Sequence, residues 1–275
     1  LIPYFGYGSN MDLVSMRAKG VEPLRSQRAS LRGWRLHFNV EHFFPHEGGM
    51  GNIVATGNPS DRVEGVLHLC RQSDLRALDK VEAYGIGYDR KEVLVETADG
   101  RAEALAYVGL PDSINDGCLP TRRYLNILMR GAKAAGVDSE YLENLAGLEV
   151  LPPPGLPMWR PPRQGAPNFS EKDLASRPKM TALAGAVFDM SSCRPRHRIL
   201  WDWFGGRDVT LFHLRRLDTS DGSETLDDVA AGRLTQWQRQ YLTDYLHAFS
   251  QEYEYVGNLL RNDAASCDKG REVTS

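Results

Sequence analysis

Residues 151–167 read LPPPGLPMWRPPRQGAP and hold seven of the chain's 15 prolines. Proline removes backbone donors and favours extended polyproline geometry, so the segment predicts a semi-rigid linker or a strap lying on a surface. Composition changes across it. Only Trp34 precedes it, Trp159 lies within it, and Trp201, Trp203 and Trp237 follow. The expectation is a joint between two domains, 1–150 and 168–260, with a polar tail at 261–275 expected to be mobile.

The remaining composition narrows the function classes. Hydrophobic residues make up 41% and charged residues 25%, as in an ordinary globular protein, which excludes collagen-like, coiled-coil and wholly disordered chains. No apolar run is long enough to span a membrane. A formal net charge of −3 argues against a nucleic-acid partner, which usually demands a basic face. Cys70, Cys118, Cys193 and Cys267 form no C-x-x-C pair and suit neither a zinc site nor a disulfide framework. They read as reduced thiols of a cytoplasmic protein, and no signal-peptide-like stretch precedes the first glycines.

The first half is strand-rich. Short β-branched or aromatic runs at 2–7, 34–40, 52–57, 63–70, 92–97 and 102–108 are separated by Gly, Asn, Pro or Asp. Helices are expected at 73–83, with Ser73 and Asp74 as candidate caps, and at 121–135 and 139–148, Gly136 ending the first of the latter two. The pattern is α+β or a small barrel and lacks the strand–helix alternation of a doubly wound sheet.

Two elements carry candidate chemistry. Tyr4-Phe5-Gly6-Tyr7-Gly8-Ser9-Asn10-Met11 runs an apolar strand into a glycine turn and a helix-like segment. Glycines let successive N–H groups converge, and a helix N-terminus adds donors, so such a turn can hold a carboxylate or a developing oxyanion. An ordinary glycine turn reads the same way. It lacks the P-loop lysine and the dinucleotide G-x-G-x-x-G spacing. The second element, Leu78 to Arg90, puts Glu82 at a helix end beside Tyr84, Gly85, Gly87 and Tyr88. A carboxylate in such surroundings is a candidate general base, and the alternative is a solvated Glu paired with Lys80 or Arg90.

Y-F-x-Y-G-S-N-M, then L-D-x-x-E-x-Y-G-x-G-Y-x-R, then a tyrosine helix around Tyr124 with Glu140 and Tyr141 beyond it, resembles the γ-glutamylcyclotransferase (AIG2-like) family over residues 1–150. The resemblance implies a small β-barrel with surrounding helices. It also implies a reaction in which the substrate's α-amine attacks its own γ-carbonyl, releasing an amine and 5-oxoproline. Attack is intramolecular, so proximity is supplied once the chain folds back. The resemblance gives Glu82 the role of general acid/base. It makes Tyr4, Phe5, Gly6, Tyr7, Gly8, Ser9, Asn10, Tyr88 and Tyr124 substrate-binding, with backbone donors from Gly6 to Ser9 at the carboxylate or oxyanion. It calls for a small-molecule γ-glutamyl substrate and for no metal, nucleotide or covalent nucleophile. Related enzymes act on glutathione conjugates in fungal epidithiodiketopiperazine (gliotoxin-like) pathways. A bulky conjugate is therefore a candidate substrate beside γ-glutamyl amino acids and glutathione.

Rival constellations are weaker. His37, His42 and His46 lie near Glu41 and Glu47, but without the H-E-x-x-H order of a zinc helix they read as polar loop residues, and 41–51 as a candidate lid. Ser9 lacks the G-x-S-x-G elbow of a hydrolase nucleophile.

In the second half, a helix capped by Ser170 or Asn168 precedes a β-like run at 183–191, then F-G-G-R-D-V-T at 204–210 and V-G-N-L at 256–259. This order resembles a smaller α+β domain, cytochrome-b5-like, of the membrane-associated progesterone receptor type. That family binds haem through a tyrosine shortly before its F-A-G-R-D motif. Here Trp201 and Trp203 stand there, and tryptophan is no iron ligand, so the expectation is a degenerate accessory domain without haem, with both tryptophans in its core. The alternative is a non-catalytic haem- or ligand-binding protein, with His197 as the candidate ligand and an inert cyclotransferase fold.

Overall fold

The computed structural model describes residues 1–260; the expected mobile tail lies outside the described residues. The first half contains strands Ile2–Gly6 (β1), Arg25–Arg32 (β2), Trp34–Glu41 (β3), Gly49–Ala55 (β4), Arg62–Cys70 (β5), Tyr88–Thr97 (β6) and Gly100–Gly109 (β7). Five of them close a barrel in the order β1-β5-β2-β6-β7, sealed by the parallel pairing of Tyr4 with Leu105. Phe5, Ile53, Val63 and Val95 fill its interior. β3 and β4 form a separate two-stranded sheet with a bulge after His37.

The strand at 25–32 has no counterpart in the pattern reading. Its residues are RSQRASLR, with only Ala29 and Leu31 pointing inward. Pairing along its whole length with β5, Arg25 opposite Leu69 through Arg32 opposite Arg62, makes it a strand. Tertiary pairing here overrides a polar composition.

Helices Leu13–Ala18 (α1), Asp74–Val81 (α2), Arg122–Ala134 (α3) and Ser139–Ala146 (α4) surround the barrel. The Thr121 hydroxyl caps α3 by accepting from the Tyr124 N–H. Gly131 lies where a side chain would strike the backbone at Met11 and Asp12, so α3 can pack directly on the glycine turn. At α2 the expected Ser73 cap is not made: its backbone is already helical, and its side chain makes no capping bond.

The second half has strands Asn168–Phe169 (β8), Met180–Leu183 (β9), Ala186–Asp189 (β10), Arg207–Asp208 (β11) and Glu254–Leu259 (β12), in the sheet order β11-β9-β10-β12-β8. Helices Glu171–Ala175 (α5), Leu200–Phe204 (α6), Thr210–Leu214 (α7), Leu226–Ala230 (α8) and Gln236–Glu252 (α9) accompany it. The run at 183–191 is not one strand. Ala184 and Gly185 take φ of 47° and 84°, the two-residue turn that suits a right-twisted hairpin, and β9 folds back on β10.

Both singled-out motifs serve packing. A side chain at Gly205 would strike the carbonyls of Pro178 and Trp201, and Thr210 bonds Asp208 Oδ1 at 2.5 Å while accepting from the Ala184 N–H. A side chain at Gly257 would strike the Pro167 carbonyl, where the end of the proline-rich segment crosses β12.

That segment is a strap against the second half. Trp159 packs on Phe188 and Tyr255 and donates to Ser250 Oγ, and the carbonyls of Leu156 and Pro157 bond Gln240 and His247 of α9. The two halves also share a core. Phe44, between β3 and β4, is buried in the second half's apolar cluster, stacked on Phe249 and edge-on to Tyr245. Glu47, 1% exposed, accepts from Arg123 and from the hydroxyls of Tyr241 at 2.7 Å and Tyr245 at 2.6 Å. Burial pushes the Glu47 carboxyl up, and the Arg123 and Arg216 guanidinium groups pull it well below the usual range, so the buried pair stays ionised.

Candidate active site

A cavity opens where the glycine turn, the end of α2, the β3–β4 connection and the second half meet. Tyr4, Tyr7, Gly8, Ser9, Asn10, Glu82, Tyr88 and Tyr124 all line it. Phe5 and Gly6 do not. Phe5 points into the barrel interior, fully buried, and Gly6 is in the β1–β5 ladder opposite Val66. Alternation along a strand sends neighbours to opposite faces, so Tyr4 and Phe5 cannot both face one cavity. Gly6 has its own reason to be glycine: a side chain would meet the Asn10 carbonyl at 2.9 Å.

Glu82 caps the C-terminus of α2, and Ala83 after it takes φ of 48°, a position usually held by glycine. The sharp turn aims the carboxylate at the glycine turn, where Asn10 Nδ2 donates to its Oε1 at 2.8 Å. Neither Lys80 nor Arg90 pairs with it. Lys80 donates to the Asp202 carbonyl, and Arg90 pairs with Asp79 and lies over Tyr84.

Asn10 is fully used. Its amide also donates to Tyr4 Oη at 2.5 Å, its Oδ1 accepts from Lys19 Nζ, and its backbone carbonyl lies 2.8 Å from His68 Nε2. A carbonyl only accepts, so His68 carries its proton on Nε2 and takes the Ser26 hydroxyl on Nδ1. Burial lowers His68 to about 4, which keeps the ring neutral. Lys19 also donates to Ser9 Oγ at 3.0 Å and lines the cavity; burial lowers its ammonium to about 8 against the pull of Glu82.

Gly51 joins the two candidate tyrosines. Its N–H donates to Tyr124 Oη at 3.1 Å, and its carbonyl accepts from Tyr88 Oη at 2.8 Å. A side chain at either Gly8 or Gly51 would collide with Tyr124 Oη, at 2.6 and 2.9 Å. Burial raises the pKa of Tyr4, Tyr7, Tyr88 and Tyr124, so these hydroxyls remain protonated.

Lys19, His68 and Gly51 escaped the sequence reading, as did Trp203 and Arg216, which the second half contributes to the cavity wall. Lys19 sits at the C-terminal end of α1, well past the glycine motif, with no local pattern to mark it, and Gly51 looks like any loop glycine. Trp203, expected in a core, packs on Phe204 and Phe212 and reaches the cavity. The candidate lid is a fixed wall, held by Phe44, Glu47 and the Arg196 bond to Glu41 at 2.7 Å.

Haem does not fit the residues of the second half. His197 is buried with Nδ1 on Tyr253 Oη and Nε2 on the Phe43 carbonyl, both at 3.0 Å. Trp201 donates to the Met190 carbonyl, and Phe44 fills the aromatic core. Among the described residues no His, Cys, Asp or Glu cluster is arranged for a metal ion, and no helix is long and apolar enough to cross a membrane.

The family model described as "Gamma-glutamyl cyclotransferase, AIG2-like" matches residues 4–125, the stretch that supplies the turn, Glu82 and Tyr124. Over residues 4–125 the chain is similar to the AIG2-like γ-glutamyl cyclotransferase family. The chain is 28% identical over 154 residues to the γ-glutamylcyclotransferase of Bos taurus, covering 53% of this chain and 78% of that protein. It is 28% identical over 159 residues to the γ-glutamyl cyclotransferase gliK of Claviceps purpurea, covering 51% of this chain and 66% of that protein. A solved γ-glutamyl cyclotransferase structure aligns at 27% identity and a TM-score of 0.49, over 56% of this chain and 92% of that one.

Proposed function

We propose that the chain is a γ-glutamylcyclotransferase that cleaves a γ-glutamyl amide by attack of the substrate's own α-amine, releasing 5-oxoproline. The observation that carries this reading is the Glu82 carboxylate, oriented by Asn10 at the wall of a cavity ringed by neutral tyrosines. Glu82 takes a proton from the α-ammonium. The freed amine attacks the γ-carbonyl, closing a five-membered ring. Glu82 gives its proton to the leaving nitrogen as the amide bond breaks, then takes the surplus proton from the ring nitrogen and passes it to the released amine, which departs as an ammonium. Lys19 holds the α-carboxylate. Tyr124 accepts from Gly51 and Ser9, which leaves its hydroxyl proton to donate to the γ-glutamyl group, and the Gly8 amide serves the developing oxyanion.

The second half acts in this reading as an accessory unit that walls the cavity, its cytochrome-b5-like motifs serving packing rather than haem. The likeness to gliK supports a place in secondary metabolism, with a γ-glutamyl peptide or glutathione conjugate as substrate. The test is 5-oxoproline release from γ-glutamyl-alanine, glutathione and a glutathione S-conjugate, with Glu82→Gln as comparison. Release by the wild type and its loss by at least about 100-fold in the variant are expected, since general acid–base catalysis contributes roughly 10²–10⁴-fold. A Glu82→Gln variant of full activity would refute the mechanism.

A further inference from the structure

The arginines at the junction of the two halves fall into two groups. Arg123, Arg130 and Arg196 each meet a carboxylate: Glu47, Asp12 and Glu41. Arg215 and Arg216 meet none among the described residues; Arg215 donates to the Glu224 carbonyl away from the cavity, whereas Arg216 lines it. The Arg216 guanidinium lies 4.9 Å from the Phe212 ring centre, and Trp203 packs edge-on against the same ring, so Arg216 and Trp203 form one platform at the cavity wall. The residue is well anchored from behind. Its backbone carbonyl accepts from Arg123 Nη1 at 2.8 Å, and Leu214 and Leu217 on either side are fully buried.

A charge count of the cavity shows what this cation faces. Glu82 is one anion and Lys19 one cation. Glu41 is neutralised by Arg196, and burial holds His42 neutral, its pKa lowered to about 3. Glu47, whose carboxylate also feels Arg216, is already paired with Arg123, so Arg216 is a second cation with no carboxylate of its own among the described residues. A γ-glutamyl group carries one ammonium and one carboxylate, which Glu82 and one cation satisfy. The other cation then calls for a second anion, and only the leaving half of the substrate can bring it. A neutral leaving half would strand a guanidinium, partly stripped of water, beside Lys19.

We propose that Arg216 is a specificity-determining residue for the leaving amine, selecting γ-glutamyl amino acids and peptides, whose leaving half carries a carboxylate, over neutral γ-glutamyl amides. Arg216 offers the planar fork that binds a carboxylate through two parallel hydrogen bonds, and Trp203 covers the apolar part of the leaving group. The proposal rests on the cyclotransferase reading of the same cavity and adds to it the residue that reads the leaving half of the substrate. It also gives the second half a direct role in substrate choice.

The experiment compares kcat/KM of the full chain for γ-glutamyl-alanine and γ-glutamyl-alaninamide, which differ only in the terminal carboxylate. The wild type should prefer the carboxylate by about 10- to 100-fold, the range of one charge-assisted contact. Arg216→Gln, which keeps the carbonyl that Arg123 uses, should flatten the preference to within about threefold while retaining turnover of the amide. Arg216→Lys should restore part of it, because charge without the fork binds a carboxylate less well. A wild type without preference, an Arg216→Gln variant with unchanged preference, or equal losses on both substrates would overturn the proposal; the last would place Arg216 on the γ-glutamyl carboxylate. If Arg216→Gln does not fold, the lysine variant decides: a wild-type preference there overturns the proposal, and a reduced one supports it. Failure of the wild type to release 5-oxoproline from any γ-glutamyl compound would instead refute the cyclotransferase reading, and this assignment with it.

Discussion

Asn10→Ala tests whether the base is positioned or merely present. The Asn10 amide holds three groups together: Glu82 at 2.8 Å, Tyr4 Oη at 2.5 Å and the Lys19 ammonium. Truncation removes the bond to Glu82, and a hydrogen bond to a charged group contributes roughly 1.5–3 kcal/mol. If that energy orients the carboxylate during proton transfer, kcat/KM for γ-glutamyl-alanine should fall by about 10- to 100-fold. The same change leaves the buried Tyr4 hydroxyl without its donor, so thermal unfolding should move down by several degrees, roughly 2–4 °C per kcal/mol for a chain of this size. Asn10→Asp keeps the shape but turns the donors into an anion facing Glu82, and should depress kcat further than alanine does. The assay is 5-oxoproline release, with a melt of each variant as the check on folding. A folded Asn10→Ala variant within about twofold of wild-type kcat/KM would show that Glu82 needs no help from Asn10.

Stability should decline on acidification from about pH 6.5 to about pH 4, because His68 is neutral in the fold, its pKa lowered to about 4, and binds a proton more readily when unfolded. In urea titrations across that window, His68→Gln should show a shallower decline by up to about 1.4 kcal/mol per pH unit, and equal slopes would contradict the assignment. With Lys19 at about 8, kcat/KM should fall above that pH as its ammonium is lost, and Lys19→Arg should move this limb to higher pH. Glu47→Ala should destabilise the whole chain by about 3–5 kcal/mol, measured by urea unfolding, since it strands the buried Arg123 charge. A fragment ending at residue 150 should be poorly soluble on size-exclusion chromatography, because it exposes Phe44 and removes the tyrosine partners of Glu47.

Much of the first half could be read along the chain. Alternation and turn residues located six of its strands, and the helix expected at 121–135 and closed by Gly136 matches α3. Tyr4, Tyr7, Gly8 to Asn10, Glu82, Tyr88 and Tyr124 converge because each lies in a local motif that a strand end or helix end displays on the same side of the barrel. Phe5 and Gly6 were included because a motif names every residue in a run, whereas a strand divides the run between two faces. β2 was missed because its polar residues acquire strand character only by pairing with β5.

Local order therefore announced the strand–turn–helix around Asn10, the helix end at Glu82, and a proline-rich segment that could not become a regular element. These depend on torsional preference, capping and periodicity, all of which act within a few residues. Tertiary structure decided what lies far apart in sequence: that Lys19 and His68 support the turn, that Gly51 lies between two tyrosines, and that the strap lies on the second half. It also decided that Phe44 and Glu47 enter the second half's core while Arg216 and Trp203 return to the first half's cavity. Burial and charge pairing depend on which surfaces meet, and no spacing of residues within either half reports that meeting.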